Sequence, residues 1–154
     1  MKKQILISIL FLGLLITSSA LVATAPASAQ TRSDILLIPF NIHAQEVQPF
    51  LKPAITDMLY TRLSAENRTV LVDKAYAGAD PISTETATAM GQRQDVDYVL
   101  FGSITMLGSM ISTDAQLVGV AQEKSLLVFN EVGQDQGDII THMEHLTNRI
   151  NETV

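Results

Sequence analysis

Few residues in this chain are of a type and spacing that could do chemistry. His142 and His145 stand three apart in the run His142-Met143-Glu144-His145, which a helix would bring to one side. Two imidazoles can hold a metal only with a third ligand, and His43 is the remaining histidine. Glu144 is adjacent in sequence but points about 100° away on a helix. The pair is short, and a solvated helix face explains it without a metal. No metal or cofactor is therefore expected. Acid–base catalysis needs two carboxylates converging in a cleft. Asp95 and Asp97 flank Val96 and would point the same way in an extended chain. A polar helix-to-strand connection accounts for them equally. Nucleophile motifs fail: the chain has no cysteine and no G-x-S-x-G. No G-x-G-x-x-G or P-loop pattern exists to cradle a phosphate.

The stretch that must position any site is Asp97 to Val120, DYVLFGSITMLGSMISTDAQLVGV. Val99, Leu100 and Phe101 are apolar without a break, as in a strand buried on both faces. From Gly102 the pattern alternates. Ile104 and Met106 fall on one side, Ser103 and Thr105 on the other. Beyond Leu107-Gly108-Ser109 the alternation resumes, with Ile111, Thr113, Ala115 and Leu117 opposed to Ser112, Asp114 and Gln116. Two alternating runs around a Gly-containing break predict a β-hairpin with one wet face. Ser103, Thr105, Ser112, Asp114 and Gln116 on that face form the candidate partner surface.

Around the hairpin, Asp34–Phe40 (DILLIPF) predicts a central strand closed by Pro39, which cannot donate to a ladder. Asn41–Val47 reads as a connection. Leu51, Ile55, Met58, Leu59 and Leu63 recur at helical spacing, so a helix over Gln48–Asn67 follows, regular from about Lys52 because of Pro53. Thr69–Val72 is a short strand rich in β-branched residues. Ser83 or Thr84 can cap a weaker helix that runs to Asp95. Ala121–Lys124 is a turn, Ser125–Glu131 a strand and Gly133–Gly137 a loop. Asp138 then opens a last helix with Ile139, Ile140, Met143, Leu146 and Ile150 on its apolar face. The expected fold is α/β (α+β), a mixed sheet of about five strands in the order βαβαβββα with helices mainly on one face.

The first 29 residues read differently. Lys2 and Lys3 precede an apolar run from Ile5 to Ile16, and a small-residue tract ends Ala27-Ser28-Ala29. This is the pattern of a secretory signal peptide cut after Ala29, leaving 30–154 as one domain. A retained anchor is the alternative, with Thr17-Ser18-Ser19 weakening any span. The whole chain carries a formal charge of −6. The leader holds two lysines and no acid, so the remainder stands at −8. Such a domain repels nucleic-acid phosphates and is not expected to bind them. Without cysteine it has neither disulfides nor a thiol to lipidate, so it must hold by packing.

The runs DILLIPF, LSAENRTVLVDK and DVDYVLFGSITMLGSMISTDAQLVGV together resemble a group of exported bacterial domains. They are similar to the amino-terminal domain of the Tol-system protein TolB. They are similar also to the periplasmic domains of the curli-export lipoprotein CsgG and of penicillin-binding-protein activator lipoproteins. The nearest likeness is to exported domains that precede FG-GAP/VCBS repeats in anaerobic Gram-negative bacteria. It is carried by Val96-Asp97-Tyr98-Val99-Leu100-Phe101-Gly102-Ser103 and Ser112-Thr113-Asp114-Ala115-Gln116-Leu117-Val118. The resemblance spans most of residues 34–152. It implies a non-catalytic periplasmic or outer-membrane-associated domain that docks on envelope proteins or assembles with itself, without a membrane span once the leader is cut. The lipidated cysteine of the lipoprotein members is missing here. The alternatives are a small envelope hydrolase using Asp95, Asp97 or Asp114, and a metal- or ligand-sensing module using His142 and His145.

Overall fold

The computed structural model describes residues 33–154 apart from Val47, Asn67 and Ala79. The leader expected over residues 1–29 lies outside the described residues. Among the described residues six strands and three helices follow in the order β1 (Asp34–Leu37), β2 (Asn41–His43), α1 (Leu51–Ser64), β3 (Thr69–Val72), α2 (Thr84–Gln94), β4 (Tyr98–Leu107), β5 (Met110–Gly119), β6 (Lys124–Gly133) and α3 (Asp138–Thr153).

The strands form one mixed sheet in the order β3-β1-β4-β5-β6, with β2 also paired to β4. β1 runs parallel to β3 and to β4, while β4, β5 and β6 form an antiparallel meander. The parallel part arises because a helix follows β2 and another follows β3, so that β3 and β4 both return in the direction of β1. The meander arises because a two-residue turn, Gly108-Ser109, joins β4 to β5.

Asn41–His43 is not the expected connection but the sixth strand. Leu37 is opposite Leu100, yet Asn41 is opposite Ser103. Three residues, Ile38 to Phe40, therefore face two on β4. The extra residue makes a bulge at Pro39, the one residue there without an N–H to donate. Ile38 still donates its N–H to the Leu100 carbonyl at 2.9 Å before the slip. The chain then re-joins the same strand, carrying Asn41 and His43 onto the face of Ser103 and Thr105.

Two cores sit on the two faces of the sheet. The larger takes Ile35 and Leu37 of β1, Leu100 and Ile104 of β4 and Leu117 of β5. Ile55, Leu59 and Leu63 of α1 and Met143, Leu146 and Ile150 of α3 close over it. These positions repeat every three or four residues, so each helix buries one stripe. The smaller core takes Leu36, Ile38, Val99, Phe101 and Val118, covered by Ala87 and Met90 of α2. Two of the three helices thus lie on one face, as the sequence predicts. Among the described residues no helix is long and apolar enough to cross a membrane.

α2 is poor in apolar residues and is held at its ends and by docking. The Ser83 hydroxyl accepts the Thr86 N–H at 3.2 Å, and Asp95 in the left-handed region (φ 54°) ends the helix. Within it, a Cβ on Gly91 would collide with Val120 and Val99. Glycine lowers the helix propensity here but lets α2 lie close on the sheet.

Candidate functional site

α2 covers only part of its face. Beyond Phe101 the second face of the meander has no helix over it among the described residues, and the polar half of the hairpin lies there. Ser103 is directly opposite Asp114, Thr105 opposite Ser112, and Phe101 opposite Gln116. The five residues expected as a partner surface are thus neighbours on two adjacent strands, all half-buried. Register extends the patch on both sides. β2 adds Asn41 beside Ser103 and His43 beside Thr105. β6 adds Val128 opposite Gln116, Asn130 opposite Asp114 and Val132 opposite Ser112.

Hydrogen bonds fix this surface. The Asp114 carboxylate accepts from the Asn130 side-chain amide on one oxygen and from the Ser112 hydroxyl, at 3.3 Å, on the other. Lys52 Nζ donates to Asn41 Oδ1 at 3.2 Å, tying α1 to β2. The loop after β3 closes one flank, where His43 Nε2 lies 3.1 Å from Asp80 Oδ2. Between that loop and the strands is an open cavity of about 100 Å³. Ile38, Phe101, Ser103, Asp114 and Asn130 are among the residues that line it. The far end carries exposed apolar side chains, Val128 at 60% and Val132 at 66% exposure, with Leu107 and Met110 at the hairpin turn.

The other candidate residues are not brought together. Asp97 sits at the opposite end of β4 and accepts the Asp34 N–H at 2.9 Å, pinning the start of β1. It is six residue steps from Ser103, roughly 20 Å at about 3.3 Å per residue. Asp95 is the left-handed residue that ends α2. Neither converges with Asp114.

His142 corrects the sequence reading. It was expected on a solvated helix face, but it is 2% exposed, with Nδ1 2.9 Å from the Thr113 hydroxyl on β5. The physical reason is spacing: His142 lies between Ile139 and Leu146 on the stripe α3 turns to the sheet. Its ring satisfies Thr113, the one polar residue on the inward side of β5. His145 is half-exposed and lies 2.9 Å from Glu131 Oε1 through Nδ1. The two imidazoles therefore have different partners, and His43 is across the sheet from both. No group of three potential ligands stands within metal-binding reach among the described residues.

Sequence reading missed Asn41, His43, Asp80 and Asn130 as neighbours of the hairpin surface. The bulge at Pro39 hides the first two. Asn130 was legible in part, since Leu127, Phe129 and Glu131 alternate with Val128, Asn130 and Val132. With valines on the outer side the alternation does not stand out.

No family model and no curated protein matches the chain. Solved structures do. The chain is similar to TolB from Acinetobacter baumannii, with a TM-score of 0.57 at 17% identity, over 79% of this chain and 28% of that one. It thus spans little more than a quarter of TolB. It is similar to the lipoprotein GNA1162 from Neisseria meningitidis, with a TM-score of 0.52 at 16% identity, over 79% and 99% of the two chains. It is similar also to the C-terminal domain of LpoB from Salmonella enterica, with a TM-score of 0.51 at 16% identity, over 71% and 88%. At these identities the likeness is one of fold. A TolB-like fold is what these proteins and this chain have in common.

Proposed function

We propose that this chain is a non-catalytic protein-interaction domain of the Gram-negative cell envelope, exported by cleavage after Ala29. On this reading it works in the periplasm or against the outer membrane, in the manner of the TolB amino-terminal, CsgG-like and FG-GAP/VCBS-associated domains it resembles. The observation that carries the reading is the part of the second sheet face that no helix covers among the described residues. Ser103, Thr105, Ser112, Asp114 and Gln116 lie flat and adjacent there, with hydrogen-bonding groups turned outward. A preorganised polar patch rimmed by exposed valines suits contact with a protein surface. Chemistry would need convergent acids and bases, and Asp95, Asp97 and Asp114 stand apart. The fold shared with TolB, a lipoprotein and LpoB supports an envelope setting.

The experiment is quantitative crosslinking of the full-length chain in a Gram-negative envelope fraction, with Asp114→Lys beside the parent. Loss of a discrete crosslinked partner in the variant, at unchanged abundance and melting temperature, supports the reading. An unchanged crosslinking pattern overturns the surface assignment. The mass of the purified amino terminus tests the leader: a chain beginning at Gln30 is expected, and one beginning at Met1 refutes cleavage.

A further inference from the structure

Among the described residues β6 is a free edge of the sheet, the last strand in the order β3-β1-β4-β5-β6. Its pairing to β5 slips between Leu117 and Val118, which leaves Leu126 as the extra residue. From Leu127 to Gly133 the strand is regular, with seven consecutive partners on β5. Alternate residues of such an edge turn an N–H and a C=O away from the sheet, open to another strand. Edge strands are usually blunted by proline, by charge or by a bulge. Here the bulge at Leu126 blunts only one end. The regular stretch has no proline, and its one charge, Glu131, is held by His145 within the subunit.

The outward face of this stretch reads Val128, Asn130, Val132, the same in either direction. We infer that β6 pairs antiparallel with β6 of a second copy of this chain, about a two-fold axis through Asn130. A two-fold interface must be self-complementary, and this register makes it so. Val128 of each copy falls opposite Val132 of the other, covering two side chains that are 60% and 66% exposed. On the inward face Phe129 falls opposite Glu131, so no like charges are directly opposed. Each Asn130 already donates one amide N–H to Asp114 of its own subunit. The second N–H and Oδ1 can then meet the same groups of the other copy across the axis. Slipping the pairing by two residues puts Val132 or Val128 opposite Asn130 and, in one direction, Glu131 opposite Glu131, and a one-residue slip puts inward side chains outward. A seven-residue pairing is small beside the ~1,200–2,000 Å² of a stable standard interface. The dimer is therefore a weak, concentration-dependent one. It goes beyond the proposed docking role, since it uses the strand edge rather than the hairpin face.

The absence of native cysteine makes the test clean, because every disulfide formed must come from an introduced residue. Single-cysteine variants of the full-length chain are oxidised with copper–phenanthroline and run on non-reducing gels. On the axis, the Cα atoms of residue 130 in the two copies are ~4.5–5.5 Å apart, within disulfide range. Residue 128 lies four positions from its own copy, about 13 Å away, which is out of range. Asn130→Cys is expected to crosslink to a dimer. Val128→Cys alone is not, while an equimolar mixture of Val128→Cys and Val132→Cys is. Crosslinking of Val128→Cys alone as strongly as Asn130→Cys overturns the register, and a monomer in all three overturns the dimer. Sedimentation of a variant that leaves residue 130 intact checks that the cysteine itself does not create the contact. Val132→Lys is expected to raise the dimer dissociation constant at least ~10-fold, a loss of about 1.4 kcal/mol. No change in Val132→Lys overturns the pairing. Thr105→Lys separates the two proposals: it lies on the hairpin face opposite Ser112 and makes no bond to Asn130, so the mixed Val128→Cys and Val132→Cys crosslink made in its background reports on the edge whatever becomes of partner docking.

Discussion

The two ends of the β4–β5 hairpin are built from one pair of strands and have opposite fates. At the open end of the hairpin, Val99 and Leu100 are both fully buried, one facing α2 and the other facing α1 and α3. At the turn end, only the inward residues Ile104, Met106 and Ile111 are covered, and Ser103, Thr105 and Ser112 are half-buried on the other side. The strands do not change; the layers over them do. α2 is only 11 residues long and ends at Asp95. A helix of that length spans about 16 Å, while a ten-residue strand spans about 33 Å. One end of the hairpin therefore holds the fold and the other is left for contact.

The largest expected effect breaks this comparison at its buried end. Leu100→Ala should cost about 2–5 kcal/mol, since Leu100 is fully buried where both faces are covered. Ser103→Ala, three residues along the same strand, should stay within about 0.5 kcal/mol. Urea midpoints of the two variants test this directly. Equal losses would mean that the turn end is covered by something else in solution.

Next in size is Gly102, at the boundary between the two ends. A Cβ built there would collide with the Asp114 backbone oxygen and with the Phe40 ring. Phe40 is 1% exposed and belongs to the larger core, so it cannot swing away cheaply. Gly102→Ala should cost about 1–3 kcal/mol by overpacking. Thr113→Val is expected in the same range, about 1–3 kcal/mol, because it strands His142 Nδ1 in the core. Adding His142→Leu to Thr113→Val should cost less than the two single losses summed. Additive melting shifts in that double-mutant cycle would show that the two side chains do not depend on each other.

How much of this was legible follows the same division. Where one periodicity ruled a whole element, the sequence located it closely. Thr69–Val72 was read to the residue, and the hairpin alternation placed Ser103, Thr105, Ser112, Asp114 and Gln116 on one face, as the register has them. What escaped were features set by a neighbour. β2 exists because a bulge at Pro39 returns the chain to β4, and no local pattern in Asn41–His43 announces that. His142 is carried inward on the apolar stripe of α3 and is satisfied there by Thr113, 29 residues earlier. A polar side chain reads as solvated unless its buried partner is known, and only the fold supplies the partner.

The smallest expected effect concerns Asp138, which opens α3 just where β6 has ended. Its Oδ2 accepts the backbone N–H groups of Gln134 at 2.7 Å and of Asp135 at 3.3 Å. Those two bonds hold its carboxyl below the usual range, with a lesser pull from His142. A folded-state pKa below the unfolded one means that the unfolded chain binds the proton more readily. The contribution is therefore complete above the unfolded pKa and is lost as pH falls through the folded one. Asp138→Asn should lower the melting temperature slightly at pH 7 and not at all in acid below that range. The carboxylate lies at the surface, so solvent screens the effect and the shift is small. A difference that persists undiminished in acid would assign the role of Asp138 to helix geometry rather than to charge. The turn at Gln134–Gly137 would then be held by the Asp135 side chain, which accepts the Gly137 N–H at 2.7 Å.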